Sequence, residues 1–192
     1  MSKTLSGYRH FIWAAFAKHA QTGAILPSQR FLIDKMIAPI PANYRGEIIE
    51  LGAGNGALTL RLAAKCPAAR ILACEINPVL ARASRSNLDA AGINGRVKVT
   101  SDAAEHLLSE YRRRGQGKAD FVVSGIPIGN LNKKTTVALV DSIHSILAPG
   151  GFYIQFQHFL ADLLKIKKRF ATLRLTPVLL NLPPAFVYYA RK

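Results

Sequence analysis

The sequence predicts an α/β fold with one sheet of seven mostly parallel strands and helices on both faces. Three observations support this prediction. The 192 residues, 49% of them hydrophobic, suffice for one domain with a large core. From residue 46 onward, short apolar runs alternate with segments of helical periodicity, an order typical of parallel sheets with crossover helices. A glycine-rich stretch at 52–56 separates the first predicted strand from the next helix, where such sheets bind ligands.

Residues 1–45 precede the sheet and differ from it in character. An amphipathic helix is predicted over 3–19, because its apolar residues fall on one arc at about 100° per residue. This arc consists of Leu5, Tyr8, Phe11, Ile12, Ala15 and Phe16, with Trp13 at its edge. A turn over 23–27 leads to a second helix near 29–37. We therefore divide the chain into a helix at 1–22 and a domain at 23–192.

The sheet and its helices follow in chain order. The predicted strands are 46–51, 71–75, 97–100, 121–124, 152–156, 174–180 and 186–190. The predicted helices are 56–64, 78–91 and 135–147. Pro149, Gly150 and Gly151 end the last helix, because these residues cannot continue it.

The charge of the chain indicates a polyanionic partner. There are 26 Lys and Arg against 11 Asp and Glu, a net charge of +15. Nucleic acid and an anionic membrane both fit this excess. We expect no transmembrane helix and no secretory leader, because the sequence has no apolar run of about eighteen residues and no leader pattern at its start. Cys66 and Cys74 have neither disulfide nor metal spacing, so we expect a reducing cytoplasm and no metal site.

Acidic residues lie at the ends of the first three strands. Glu50 is near the end of the first strand, Glu75 ends the second, and Asp102 follows the third. The carboxyl ends of parallel strands meet at one edge, so these carboxylates should converge. Glu75 can accept hydrogen bonds from ribose hydroxyls, and Asp102 from an adenine amine. Glu50 can face a ligand that is cationic at sulfur and amine.

The glycine spacing narrows the choice of ligand. Gly52, Gly54 and Gly56 form the pattern Gly-x-Gly-x-Gly. Such glycines let the backbone turn tightly and approach a ligand. The dinucleotide fingerprint is Gly-x-Gly-x-x-Gly, so the third glycine comes one residue too early for a pyrophosphate site.

These residues, with the Leu-Ala-Pro-Gly-Gly at 147–151, resemble the class I S-adenosylmethionine-dependent methyltransferases over residues 23–192. The resemblance implies a Rossmann-like fold and S-adenosyl-L-methionine as cofactor, with S-adenosyl-L-homocysteine as product. It implies that the loop at 50–56 holds the methionine part, Glu75 the ribose and Asp102 the adenine. The full set of implied cofactor residues is Gln29, Glu50, Gly52, Ala53, Gly54, Gly56, Glu75, Ile76, Asp102, Ala103 and Ser124.

The chain resembles two subfamilies that differ in the molecule they methylate. The chain resembles bacterial phospholipid N-methyltransferases in its length and in the segments 23–28, 124–128 and 182–188. That resemblance implies methylation of phosphatidylethanolamine and its partly methylated forms toward phosphatidylcholine, or of another amino lipid such as ornithine lipid. The segments 29–34 and 50–59 resemble ribosomal RNA adenine dimethyltransferases. However, Ser124-Gly125-Ile126-Pro127 replaces their Asn-Leu/Pro-Pro-Tyr/Phe, which holds a flipped base, and we find no helical C-terminal RNA domain.

The catalytic hypothesis concerns Ser124, Gly125 and His158. Methyl transfer needs a neutral amine in line with the sulfonium methyl, so positioning is the principal means of catalysis. Ser124 and Gly125 can orient the amine, and His158 is the candidate base. Tyr8, Trp13 or Tyr188 can stack on a methylated ammonium, although core packing is the expected use of Tyr188.

The predicted helix at 3–19 has the pattern of an interfacial helix, in which cations flank an apolar face. The residues predicted to bind the membrane are Lys3, Tyr8, Arg9, Phe11, Ile12, Trp13, Phe16 and Lys18. The alternative is that this helix packs on the domain as a lid. We expect an anionic membrane surface and a phospholipid substrate as partners, rather than nucleic acid. A monomer in the cytoplasm, peripheral on the inner face of the cell membrane, fits these expectations.

Overall fold

A computed structural model describes residues 27–93, 95–115, 118–160, 163–181 and 183–192. The predicted helix at 3–19 and its eight proposed membrane-binding residues lie outside these ranges. The strands are β1 (Glu47–Leu51), β2 (Arg70–Cys74), β3 (Val97–Thr100), β4 (Ala119–Ser124), β5 (Leu147–Gln157), β6 (Thr172–Val178) and β7 (Ala185–Arg191). The helices are α1 (Pro27–Ile37), α2 (Ala57–Lys65), α3 (Pro78–Ala90), α4 (Ala104–Arg113), α5 (Lys133–Ile146) and α6 (Leu163–Lys167).

One seven-stranded sheet has the order β3-β2-β1-β4-β5-β7-β6. The pairs among β1 to β5 are parallel, whereas β7 runs antiparallel to both β5 and β6. All but one residue in each of β1, β2 and β4 is buried, as expected for strands that are covered on both faces. This confirms the predicted fold class.

The register defines one functional edge of the sheet, which we call the carboxyl edge. Leu51 pairs with Cys74 and Ser124, so β1, β2 and β4 end together. Since Phe186 pairs with Gln157, β7 begins at this edge. Val178 pairs with Ala185, so the turn between β6 and β7 lies there as well.

Helices cover both faces of the sheet. Leu107 of α4, Leu139 of α5 and Ile166 of α6 lie in the buried cluster on one face. Met36 of α1 and Leu62 of α2 lie in the cluster on the other face. No helix of the described residues is long and apolar enough to cross a membrane.

Several predicted boundaries were wrong. Leu147 was assigned to a helix but begins β5, where it pairs with Ala119. The helices α4 and α6 were not predicted. The strand predicted over 174–180 ends at Val178, because the pairing with β7 stops there. Leu179 and Leu180 therefore belong to the turn that follows.

Candidate active site

The glycine stretch forms a tight loop between β1 and α2. Gly52, Gly54 and Gly56 have φ values of +78°, +57° and +88°, a region that L-residues with a side chain rarely adopt. The amide of Gly52 donates to the carbonyl of Cys74 at 2.9 Å, which ties the loop to β2. A Cβ on Gly56 would lie 2.6 Å from the Ser84 Oγ, whereas one on Gly54 would face open space. Gly56 therefore serves packing on α3, and Gly54 lies at an accessible part of the loop.

Glu75 joins this loop to the start of α3. Its Oε2 accepts from the Gly54 amide at 2.9 Å, and its Oε1 accepts from the Asn77 amide at 2.9 Å. Asn77 in turn caps α3 by accepting from the Val79 amide at 2.9 Å. A carboxylate has about four acceptor positions, so two remain for the hydroxyls of a ribose.

Glu50 is fully buried within the sheet beneath the loop. Among the described residues, neither of its carboxylate oxygens has a hydrogen-bond partner. Burial raises the pKa of Glu50 to about 7, the nearby Thr59 hydroxyl lowers it, and the charge of Glu75 raises it. No hydrogen bond of normal geometry joins Glu50 to the equally buried Thr59. A buried acceptor without a partner beside an open glycine loop fits a cationic ligand.

The three predicted carboxylates converge around Cys74. Burial is the main cause that raises the pKa of this thiol to about 12. The carboxylates of Glu50, Glu75 and Asp102 raise it further. Asp102 is half-exposed and lies 3.4 Å from the Nδ1 of His106. This concentration of negative charge suits a cofactor that is cationic at sulfur and amine.

Ile76 and Ala103 complete the donor side of the site. Ile76 directly follows Glu75 and is 72% exposed, although it is a large apolar residue. Ala103 precedes α4 on the loop that follows β3. Both lie at the carboxyl edge, where they can cover a flat apolar group such as adenine.

The loop after β4 contacts the glycine loop directly. The Gly125 amide donates to the carbonyl of Leu51 at 2.8 Å. A Cβ on Gly125 would lie 2.8 Å from the carbonyl oxygen of Gly52. Ser124 is fully buried, and its Oγ accepts from the Ile126 amide at 3.2 Å. The hydroxyl of Ser124 thus stabilises the loop, as does the bond from the Gly125 amide to Leu51.

Gln155 is a site residue that the sequence analysis missed. It is fully buried on β5, opposite Ser124 in the register. Its Nε2 donates to the Ile126 carbonyl at 2.9 Å, and its Oε1 accepts from the Tyr153 hydroxyl at 2.8 Å. Two glutamines at alternate positions near the end of an apolar strand, Gln155 and Gln157, are the signal that could have revealed it. Gln155 therefore fixes the position of the loop after β4.

The remaining predicted residues lie on neighbouring elements. The Nδ1 of His158 lies 2.9 Å from the Pro184 carbonyl, so Nδ1 carries the proton in the neutral ring. Nε2 is then the basic nitrogen, and it is buried, so an acceptor amine must displace its surroundings to reach it. Gln29 is on α1, which packs against α2 and the β5-β7-β6 part of the sheet.

Tyr188 is fully buried, and its hydroxyl donates to the Phe159 carbonyl. Its predicted use in core packing is confirmed, and it cannot stack on a ligand.

Comparisons with known proteins agree with this geometry. The chain matches a family model described as a methyltransferase domain over residues 48–151. It is 32% identical to an ornithine lipid N-methyltransferase of Singulisphaera acidiphila over 187 residues, which cover 92% of each chain. It is 29% identical to a ribosomal protein L11 methyltransferase of Pelotomaculum thermopropionicum over 123 residues, which cover 64% of this chain and 34% of that protein.

Solved structures share the fold. A precorrin-6y C5,15-methyltransferase from Geobacter metallireducens superposes with a TM-score of 0.65 at 14% identity, covering 83% of this chain and 88% of that one. An rRNA methylase from Streptococcus thermophilus superposes with a TM-score of 0.62 at 17% identity, covering 88% of this chain and 99% of that one. At these identities the likeness concerns the fold alone.

Proposed function

This chain belongs to the class I S-adenosylmethionine-dependent methyltransferases, and we propose that its acceptor is the amine of a membrane lipid. The observation that carries the proposal is the alignment to an ornithine lipid N-methyltransferase, which extends over 92% of both chains. At this coverage the match extends well beyond the methyltransferase-domain segment at 48–151. Ornithine lipid is thus one proposed acceptor, and phosphatidylethanolamine, toward phosphatidylcholine, is the other.

The bound cofactor supplies an electrophilic methyl group on a positively charged sulfur. The open glycine loop would hold its amino-acid part, and Glu75, held by the Gly54 and Asn77 amides, would accept from its ribose hydroxyls. The carboxylates of Glu50 and Asp102 add negative potential at the same edge. These groups support the assignment of this edge as the cofactor site.

The acceptor amine must lose its proton before it can accept a methyl group. Amines of this kind are mostly protonated at pH 7, like lysine with a pKa of about 10.4. A desolvated position near Ser124 and Gly125 would favour the neutral form. We propose that backbone groups of this loop orient the amine and that the Nε2 of His158 receives its proton. Positioning then supplies most of the rate enhancement.

A lipid acceptor requires the enzyme to reach a bilayer. The net charge of +15 supports an anionic surface as partner. The interfacial pattern at 3–19 supports an N-terminal helix that lies in the membrane interface, with Lys3, Arg9 and Lys18 beside the apolar arc. We propose a monomer that is peripheral on the inner face of the cell membrane.

RNA adenine methylation is the second candidate function. A ribosomal RNA acceptor is favoured by the basic charge and by similarity to a ribosomal RNA small subunit methyltransferase C of Salmonella choleraesuis, 28% identical over 92 residues. Adenine as the methylated base rests on the resemblance of the segments 29–34 and 50–59 alone. That similarity covers 48% of this chain and 24% of the other protein, whereas the lipid enzyme matches nearly throughout. The loop at 124–127 also lacks an amide and an aromatic residue to hold a flipped base.

One assay separates these functions. The full chain is incubated with methyl-labelled cofactor and, separately, with anionic vesicles containing ornithine lipid, the same vesicles containing phosphatidylethanolamine, or ribosomal RNA. We expect label in a lipid fraction and none in RNA, and the lipid that is labelled identifies the head group. Label in RNA alone would reject the proposal. Glu75→Ala serves as the donor-site control, since it should weaken cofactor binding in calorimetry and abolish label in every arm.

A further inference from the structure

The described residues expose a compact apolar surface that the methyl-transfer site does not use. Leu179 and Leu180 are 75% and 67% exposed, and Phe31 is 49% exposed. Phe31 and both leucines line one groove of about 320 Å³, together with Asp34, Lys35, Pro177 and Val178. We call Phe31, Leu179 and Leu180 the hairpin tip.

A fixed turn holds the two leucines outward. The Asn181 amide donates to the Val178 carbonyl at 3.4 Å, so Leu179 and Leu180 occupy the central positions of a β-turn. Asn181 is itself buried, and its Nδ2 donates to the Pro183 carbonyl at 2.6 Å. Tight turns favour Gly, Asn, Asp and Pro, so two exposed leucines at these positions serve neither the turn nor the core. Contiguous exposed apolar residues of this kind mark interaction surfaces.

The position of the hairpin tip identifies its partner. Val178 pairs with Ala185 at the carboxyl edge, the edge that carries the cofactor loop and Gly125. Arg30 and Lys35 flank Phe31 on α1 and are exposed, with Lys35 one helical turn from Phe31. The carboxylate of Asp34 lines the same groove and is paired with the guanidinium of Arg61. Apolar side chains flanked by cations suit the interface of an anionic bilayer. A water-soluble acceptor would not require such a surface at this edge.

We propose that the hairpin tip inserts into the interface of an anionic bilayer and places the carboxyl edge against the membrane. This inference rests on the proposed lipid acceptor, and it adds a membrane contact that is independent of the N-terminal helix. Phe31, Leu179 and Leu180 lie in the apolar part of the interface, and Arg30 and Lys35 contact the anionic head groups. The acceptor amine then approaches Ser124 and Gly125 from the bilayer side.

A fluorophore at the tip measures insertion directly. Cys66 and Cys74 are buried, so an environment-sensitive thiol label reacts selectively with a cysteine introduced at the surface. The full-length Leu180→Cys variant is labelled and titrated with vesicles of phosphatidylglycerol and phosphatidylcholine. Ala171→Cys is the matched control, because Ala171 is exposed and precedes the opposite end of β6. We expect a blue shift with increased emission at position 180 and none at position 171.

Two outcomes of the label experiment would overturn the inference. One is an unchanged spectrum at position 180 in the presence of vesicles. The other is a shift that grows with protein concentration in the absence of vesicles, which would assign the hairpin tip to a second copy of the chain.

A charge-insertion variant gives an independent readout. Leu179→Glu/Leu180→Glu should lower vesicle affinity by about tenfold or more, which corresponds to about 1.4 kcal/mol, since charged side chains replace the two leucines in the apolar part of the interface. Cofactor affinity in calorimetry should be unchanged. Unchanged vesicle affinity would contradict the inference. If the emission of the label shifts on vesicles but no lipid is methylated, the membrane contact of the hairpin tip is supported and the proposed lipid acceptor is wrong.

Discussion

At the residue scale, Glu50 links stability to cofactor binding through its proton. Its pKa rises from 4.5 to about 7 on folding, mainly because burial removes the carboxylate from water. Between pH 4.5 and about pH 7, Glu50 keeps its proton in the folded protein but has lost it in the unfolded chain. The Glu50 contribution to stability is therefore complete below about pH 4.5 and is lost as the pH rises to about 7. A bound cationic cofactor has the opposite effect on Glu50, because it favours the ionised carboxylate over the protonated form.

Substitution of this residue tests the linkage. In the cofactor-free protein, the free energy of unfolding of the wild type relative to Glu50→Gln should fall by about 3 kcal/mol between pH 4.5 and pH 7, at 1.36 kcal/mol per pKa unit. Denaturant titrations across this range measure the difference. The variant should also lose preference for S-adenosylmethionine over the neutral-sulfur product, as measured by calorimetry at pH 8. Parallel stability profiles for the two proteins would contradict the assignment.

Substitution of Gln155 tests whether its side chain fixes the position of the loop after β4. In Gln155→Leu, the Ile126 carbonyl and the Tyr153 hydroxyl both lose their partner in Gln155. A misplaced loop should lower kcat by about tenfold to a hundredfold, because positioning dominates catalysis here. The KM for the cofactor should change less, since Gln155 does not contact the glycine loop through these bonds. Gln157→Leu is the matched control, because Gln157 is a buried glutamine two residues along the same strand. Equal kinetics in the two variants would show a general packing effect.

The residues that were predicted from sequence share one property. The glycines, Glu75 and Asp102 occupy fixed places relative to strand ends, so their spacing along the chain revealed them. Gln155 carries no such spacing, and only its pairing opposite Ser124 shows its role. Ser124 itself was placed correctly, but its hydroxyl bonds to the Ile126 amide. Local sequence does not reveal which partner a buried hydroxyl selects.

At the element scale, the glycine loop and the loop after β4 are in direct contact. This contact determines how the candidate cofactor site is placed relative to the candidate acceptor site. Gly125 has no side chain, which allows the loop after β4 to approach the glycine loop. Sequence predicted both loops and the order of their strands, because runs of buried apolar residues are bounded by turn residues. It missed α4, whose apolar positions Leu107, Leu108 and Tyr111 are surrounded by charged residues. It extended β6 through Leu179 and Leu180, because apolar character alone does not distinguish a strand from an exposed apolar turn.

Gly125→Ala tests this loop contact. The added Cβ would lie 2.8 Å from the Gly52 carbonyl, closer than a methyl group tolerates, so the two loops must separate. We expect cofactor affinity to fall by about tenfold, since overpacking typically costs 1–3 kcal/mol. Calorimetry gives the affinity, and thermal unfolding gives the change in stability. Gly115→Ala is the control, because its Cβ meets open space although φ is +62°, so it should lower stability slightly and leave cofactor affinity unchanged.

At the scale of the whole molecule, charge and shape act together. The acidic residues Glu50, Glu75 and Asp102 gather around Cys74, while the chain as a whole carries +15. A cationic cofactor and the proposed anionic membrane surface would thus be attracted to different parts of one molecule. The sequence predicted both attractions from composition and spacing. It did not reveal that the hairpin tip shares the carboxyl edge with the donor loop, because that proximity depends on the antiparallel return of β7.

Salt should weaken binding to anionic vesicles much more than binding of the cofactor. Exposed cations are screened once the Debye length falls from about 30 Å at 0.01 M to about 8 Å at 0.15 M ionic strength. Glu50 is buried, so its interaction with a bound cation is screened much less. We therefore expect affinity for anionic vesicles to fall about tenfold or more over this range, as when one or two contributions of about 1 kcal/mol per cation are lost. Cofactor affinity should change by less than about twofold. Vesicle sedimentation and calorimetry on the same samples measure the two affinities. Equal salt dependence of both would mean that the cofactor site is as exposed to solvent as the membrane surface, contrary to the burial of Glu50.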